Sequence, residues 1–273
     1  VPELPEVETV RRSLEQLVKG KTITDVTVFY HPMIEIDSET FIRTLKGKTI
    51  HAVERAGKHL LFDLGDLYLL SHLRMEGKYF LKRPGETKDK HEHVIFYLED
   101  QETLRYHDVR KFGTMALREK GLAYQTPPLS LLGKEPLEAD FDGTYLWSRM
   151  KHTRRAVKTA LLDQRLISGL GNIYVDETLF CAGIHPEKKT TRLRKKDCHM
   201  LASCSTQVLK KAVDLGGSSI RSYTDSLGIT GRFQNELNVH LQKNRPCQNC
   251  GTSIQKIKVN GRGTYFCPTC QRR

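Results

Sequence analysis

The stretch CQNCGTSIQKIKVNGRGTYFCPTC, residues 247–270, is the most constrained reading in this chain of 273 residues. Cys247 and Cys250 form one C-x2-C pair and Cys267 and Cys270 a second, sixteen residues further on. Each such turn lets two thiolates face one centre, and two turns complete a tetrahedral site for Zn2+. Between them residues 253–259 alternate, Asn260-Gly261 turns, and residues 264–266 return, which predicts a β-hairpin. Four protein ligands leave no open coordination position, so a single structural zinc is expected. Two disulfides would need an oxidising compartment, and a redox C-x2-C would need a βαβ context; nothing in the sequence points to either. Cys181, Cys198 and Cys204 lack ligand spacing and are expected to be reduced thiols packed as small hydrophobes.

Outward from the finger, the pattern changes twice. Residues 6–18 carry Val7, Val10, Leu14 and Leu17 or Val18 at helical spacing. Eight short alternating runs follow, at 22–30, 49–55, 59–64, 67–73, 77–81, 93–98, 103–108 and 114–117, with Gly47, Gly57, Gly65, Gly77 and Gly113 as punctuation. That series predicts a β-sandwich or barrel with a leading helix. Gln125-Thr126-Pro127-Pro128 reads as a linker, and residues 141–215 turn helical, broken at 168–171 and at His185-Pro186. A polar segment from Gly216 to about Gln234 reads as a mobile loop. The expected organisation is multidomain α+β: a sandwich domain at 1–125, a linker at 126–140, a helical domain at 141–235 and the zinc finger at 236–273.

Charge separates these parts. Residues 1–150 hold 22 basic and 24 acidic side chains, whereas residues 151–273 hold 22 basic and 8 acidic. So lopsided a basic half reads as a polyanion-binding surface, since each Lys or Arg that meets a phosphate releases a condensed counterion. A generally basic, ribosomal-type domain would show the same excess. Hydrophobic residues are 38% and charged residues 28%, a globular balance. Apolar runs such as Leu60-Leu61-Phe62 fall far short of the roughly 20 residues a membrane helix requires. The expectation is a cytoplasmic chain with no membrane partner and nucleic acid as its leading partner class.

Five segments now converge: Pro2-Glu3-Leu4-Pro5-Glu6-Val7-Glu8-Thr9, Ser71-His72-Leu73-Arg74-Met75-Glu76-Gly77, Asp108-Val109-Arg110-Lys111-Phe112-Gly113, Ile167-Ser168-Gly169-Leu170-Gly171-Asn172-Ile173, and Asn260-Gly261-Arg262-Gly263-Thr264 before the last cysteines. In this order the chain resembles the bacterial formamidopyrimidine-DNA glycosylases over essentially its whole length. The resemblance implies a β-sandwich, a helix–two-turn–helix domain and a zinc finger, with duplex DNA bearing oxidised purines or abasic sites as partner. The Pro2-Glu3-Leu4-Pro5-Glu6 opening looks more like this purine-directed branch than like endonuclease VIII, which prefers oxidised pyrimidines.

The resemblance also assigns roles. Pro2 is the implied nucleophile, attacking C1′ through its nitrogen to form an iminium; its bland role is a helix-leading proline. Glu3 is the implied general acid, and Glu6 supports the site or simply favours the helix dipole. Lys58 and Arg262 are implied at phosphates beside the reacting nucleotide, the latter as a fork of donors in the hairpin turn. His72, His91 and Asn172 are implied DNA contacts, Asn172 doubling as a possible helix cap. Met75, Arg110 and Phe112 match an intercalating trio that fills the gap left by a flipped base. Ser219, Ile220, Arg221, Ser222 and Tyr223 fall in the loop that closes over the extruded lesion.

Two departures stand out. The family's proline is the terminal residue, whereas here Val1 precedes Pro2, and an acylated Pro2 nitrogen has no free lone pair. Either Val1 transcribes an initiator codon and is removed, or the chain retains it and binds damage without excising it. Val239-His240-Leu241 stands where relatives tend to carry a Tyr-Gly pair. A zinc-ribbon RNA-binding protein would explain the charge and cysteines but not Pro2-Glu3, Met75, Arg110 or Phe112.

Overall fold

The computed structural model describes residues 2–218 and 231–273. They divide into two compact units, one running to Ser130 and including Ser218 and Gly231, the other formed by Leu131–Gly217 and Arg232–Arg273. The first passage between units thus lies within the Pro-containing stretch 126–140.

In the first unit, helix α1 (Leu4–Val18) starts with Pro5 in its opening turn, where no intrahelical N–H is needed. Its apolar stripe, Val7, Val10, Leu14 and Val18, is at most 1% exposed. All eight expected strands form: β1 (Ile23–Val28), β2 (Ala52–Ala56), β3 (His59–Asp63), β4 (Leu67–His72), β5 (Lys78–Lys82), β6 (Glu92–Leu98), β7 (Thr103–His107) and β8 (Thr114–Glu119). They make two antiparallel four-stranded sheets, β1-β6-β7-β5 and β2-β3-β4-β8. Their inner faces share one core, in which Phe62, Tyr79, Phe96 and Tyr106 meet the α1 stripe. A second helix, α2 (Ser38–Leu45), capped by Asp37 on Thr40 N–H at 2.8 Å, was not expected. It is only eight residues long and buries Phe41 and Leu45, one helical turn apart.

The second unit contains α3 (Gly143–Met150), α4 (Val157–Leu161), α5 (Asn172–Cys181) and α6 (Lys195–Asp214), then the hairpin β9 (Gln255–Val259) and β10 (Arg262–Phe266). Helix α6 packs on α3 and α5, and β10 packs on α5. The α3–α6 approach is close enough that a Cβ at Gly143 would lie 2.4 Å from His199. One expectation is corrected here: Cys181 and Cys204 are not separate thiols but a disulfide. Packing of α5 on α6 brings their Cα atoms to 5.8 Å, within bridging range. Cys198 is a buried thiol, as expected, and burial pushes its pKa up to about 11. Among the described residues no helix is long and apolar enough to cross a membrane.

Candidate active site

Strand register gathers the candidate residues of the first unit at one end of the sandwich. His59 pairs with His72 and His72 with Thr114 in one sheet, while Lys78 and Glu92 both pair with His107 in the other. The β2–β3 turn with Lys58, the β4–β5 turn with Met75, the β7–β8 turn with Arg110 and Phe112, and His91 ahead of β6 therefore share that end. Helix α1 points its N-terminus the same way: Glu8 pairs with Arg55 at 3.1 Å, and Arg11, further along, reaches Val53 O at 3.1 Å. Pro2 and Glu3 consequently arrive beside the turn that holds Lys58.

Pro2 is buried and Glu3 is 2% exposed. Glu6 organises this corner with both carboxylate oxygens. Oε2 accepts the Glu3 N–H at 2.8 Å, while Oε1 accepts the Ser218 N–H at 2.7 Å and its hydroxyl at 3.1 Å. The acid thus ties the start of α1 to Ser218, within the polar segment. Ser219, Ile220, Arg221, Ser222 and Tyr223 lie outside the described residues.

The turns are built to present their side chains. Arg74 and Lys111 adopt φ of 54° and 58°, the left-handed region that turns the chain sharply. Asp108, fully buried, accepts the Arg110 N–H at 3.0 Å on one oxygen and the Phe112 and Gly113 N–H groups at 3.0 and 2.8 Å on the other. Phe112 is left 51% exposed, with the Arg110 guanidinium 4.9 Å over its ring. Gly77 and Gly113 flank the Tyr106 hydroxyl so closely that a Cβ would lie 2.2 and 1.7 Å from it. Met75 is half-buried in its turn. His59 and His72 stack edge to face at 4.6 Å, and His72 Nδ1 accepts the Arg74 N–H at 3.0 Å. Burial, with Arg74 and other cations nearby, pushes the His59 pKa down to about 4 and that of His72 to about 2. Both rings are neutral at pH 7. His91 N–H is held by Asp89 at 2.8 Å, and its ring lies 5.6 Å from that of His107.

In the second unit Asn172 opens α5. Its Nδ2 donates to the Gly263 carbonyl at 3.0 Å, so the side chain is joined to the hairpin and does not cap its own helix. The loop before it is held by Gln164, which accepts from Gly169 N–H at 2.9 Å and donates to Leu170 O at 2.8 Å. Asn260 and Gly261 both have positive φ, 45° and 79°, as an Asn-Gly hairpin turn requires, and Arg262 next to them is exposed.

The Sγ atoms of Cys247, Cys250, Cys267 and Cys270 all lie within 4.8 Å of one another. Two of the separations are 3.9 and 3.5 Å. A tetrahedron of thiolates at the usual Zn–S distance has edges of about 3.8 Å, so the donor set fits zinc. The expected single structural ion stands.

Comparison with known proteins agrees with this geometry. Family models match in sequence along the chain: the formamidopyrimidine-DNA glycosylase N-terminal domain at residues 1–115, the formamidopyrimidine-DNA glycosylase H2TH domain at 132–224, and the zinc finger found in FPG and IleRS at 245–273. Formamidopyrimidine-DNA glycosylases of Shouchella clausii and Bacillus subtilis are 53% and 52% identical over 275 residues, covering all of both chains. The chain belongs to the formamidopyrimidine-DNA glycosylase family. Its fold is likewise that of the Lactococcus lactis Fpg solved with abasic-site DNA, at 44% identity and a TM-score of 0.93 over the full length of both. A MutM solved with carbocyclic 8-oxo-G DNA gives the same two values. The protein is thus a DNA-repair glycosylase.

Sequence reasoning did not single out several buried acids that, each within its own unit, hold the segments carrying these candidate residues. Asp108 stands in the Asp108–Gly113 segment with nothing in the sequence to set it apart from its neighbours. Asp176 and Glu177 are buried side by side in α5, and Glu177 accepts the N–H groups of Asn238, Val239 and His240 at 3.0, 3.0 and 2.9 Å. An acid pair inside an otherwise apolar helix was the available signal.

Proposed function

We propose that this glycosylase excises 8-oxoguanine and formamidopyrimidines from duplex DNA through an iminium at Pro2 and then nicks the abasic strand. The observation that carries the reading is the Glu6 carboxylate, which fixes Glu3 next to Pro2 and binds Ser218 at the start of the lesion-loop segment. The relatives solved with Fapy-dG, abasic-site and 8-oxo-G DNA supply the substrate class.

In the reaction the Pro2 nitrogen forms a bond to C1′ and the N-glycosidic bond breaks, its electron pair leaving with the base, which takes up the proton that the Pro2 amine gives up. Glu3 protonates the sugar ring oxygen, and the ring opens to the iminium. The cation acidifies the 2′ hydrogen, so β-elimination expels the 3′ phosphate and δ-elimination the 5′ phosphate. Lys58, His72, His91, Asn172 and Arg262 serve as phosphate contacts. Met75, Arg110 and Phe112 fill the vacated stack, with Arg110 hydrogen-bonding the orphaned base. Zinc holds the hairpin and takes no part in bond making. Such a catalyst works as a monomer on the DNA of the bacterial cytoplasm.

The test is borohydride trapping on an 8-oxoguanine:cytosine duplex with protein whose N-terminus is defined by intact mass. Pro-first protein is expected to yield a covalent adduct, and Glu3→Gln to yield little. Protein carrying Val1 has an amide at Pro2 and is expected to bind the lesion without trapping. Absence of an adduct and of any lesion preference in Pro-first protein would overturn the reading. A thymine glycol duplex in parallel separates purine from pyrimidine specificity.

A further inference from the structure

The buried centre of the second unit contains three ionisable side chains that none of the roles above employs. Asp176 of α5 and Lys158 of α4 are both 0% exposed, and His240 is 6% exposed. One Asp176 oxygen accepts Lys158 Nζ at 2.7 Å, and the other accepts Tyr265 N–H at 3.3 Å and lies 2.8 Å from His240 Nδ1. Lys158 Nζ also donates to the Gly263 carbonyl at 3.2 Å, the acceptor that Asn172 Nδ2 reaches at 3.0 Å. The His240 ring meets Tyr265 edge-on at 5.1 Å, and the hydroxyl of Thr264 donates to Arg262 O at 2.9 Å.

Solubility does not explain such a cluster, because Asp176 and Lys158 have no contact with water. Stability is a poor explanation as well, since apolar residues of similar volume often replace a buried ion pair at no loss. Direction is what hydrogen bonds add and apolar packing lacks. Here they converge on Gly263 and Tyr265, one and three residues beyond Arg262, and on the helix that begins at Asn172. We propose that Asp176, acting through Lys158 and His240, is a positioning residue that sets the Arg262 turn in register with Asn172, so that both side chains meet neighbouring phosphates of one strand. The inference rests on the reading of Arg262 and Asn172 as phosphate contacts. His240 lies in the Val239-His240-Leu241 stretch, which departs from the Tyr-Gly pair that the family resemblance implies.

The experiment measures the dissociation constant of a duplex carrying a tetrahydrofuran abasic analogue against KCl concentration, for Arg262→Ala, Asp176→Asn, their combination, Lys158→Met/Asp176→Leu and His240→Gln. The Lys158→Met/Asp176→Leu variant removes both charges together, so it leaves no lone buried ion and covers the case in which Asp176→Asn fails to fold. Zinc content is expected to stay at one per chain throughout. Loss of one phosphate contact lowers the slope of log Kd on log salt by about 0.9. Arg262→Ala is expected to show that change with affinity about ten- to a hundredfold weaker, as for one charged hydrogen bond lost. Asp176→Asn, Lys158→Met/Asp176→Leu and, more weakly, His240→Gln are expected to raise KM for lesion duplex more than they lower kcat. Added to Arg262→Ala, Asp176→Asn is expected to change affinity less than twofold, because the group it positions is gone. Multiplicative effects, or wild-type binding by Lys158→Met/Asp176→Leu, would overturn the positioning role. An unchanged salt slope in Arg262→Ala would instead strike the phosphate reading of Arg262, and this inference with it.

Discussion

Replacing Asp108 with Asn keeps the shape of the side chain and removes one of its acceptors. The wild-type carboxylate, 0% exposed, receives three backbone N–H groups, two of them on the same oxygen. An amide satisfies that converging pair with its carbonyl, and its NH2 then faces the Arg110 N–H, donor against donor. One charge-assisted bond is lost, about 1.5–3 kcal/mol, and one N–H is left without an acceptor, about 1–3 kcal/mol. Arg110 lies at the exposed edge of the turn and regains water, so a total near the lower limits, about 2–3 kcal/mol, is expected in urea unfolding. His93 still meets the Asp108 carbonyl at 2.8 Å, so the base of the turn stays in place while its tip loosens. Excision should therefore fall further than stability, and the difference in rate between cytosine and adenine opposite 8-oxoguanine should shrink as Arg110 loses its fixed aim. Equilibrium unfolding together with single-turnover excision on both duplexes is the assay. Asp108→Asn protein within 0.5 kcal/mol of wild type, with unchanged opposite-base discrimination, would refute the argument that this carboxylate presents the turn.

The depressed pKa values of His59 and His72 mean that between about pH 6.5 and 4 the unfolded chain binds protons the folded chain refuses, so stability falls as pH falls through that window. His72→Asn should flatten the stability profile between pH 7 and 5 by about 1 kcal/mol per unit, read from urea midpoints at each pH. Zinc removal by a strong chelator, or Cys250→Ser, should unfold the hairpin and weaken lesion-duplex binding, with metal content and Kd measured on the same samples. Gly113→Ala places a Cβ 1.7 Å from Tyr106 Oη and should cost at least about 3 kcal/mol or prevent folding. Gly121→Ala, which meets nothing within 4 Å, should melt within a few degrees of wild type and serves as its control.

The sandwich was legible because short runs of strand-forming residues recur with glycines between them, even though β3, β4, β6 and β7 are buried along almost their whole length and not on one face alone. Helix α2 was not, for its eight residues contain a single helical repeat, Phe41 to Leu45. Motif residues such as Pro2, Met75, Arg110, Phe112 and Arg262 could be named from order and spacing. Their supports could not, because each acts on a partner remote in sequence: Glu6 on Ser218, Asp176 on His240, Glu177 on Asn238. His240 drew notice only as a departure from the relatives, and its partner became visible only when α5 and the hairpin met. The Cys181–Cys204 pair follows the same logic, since a sequence separation of 23 carries no motif and only helix packing joins them.

Those hidden partners also change what the charge excess means. Residues 151–273 hold only eight acids, and two of them, Asp176 and Glu177, face inward. Asp176 is matched by Lys158, equally buried, and Glu177 is occupied by backbone N–H groups, so neither offsets the cations at the surface. The exterior of this part of the chain is therefore at least as basic as its composition, while its interior acids fix the segments that carry Asn172 and Arg262. Long-range attraction for DNA follows from the first property and falls with salt whatever the sequence bound. With Asn172 and Arg262 as the proposed phosphate contacts, register on the DNA follows from the second, and salt cannot supply it. A variant that loses a surface lysine should weaken lesion and undamaged duplex alike, whereas one that disturbs Asp176 should weaken productive binding more than encounter.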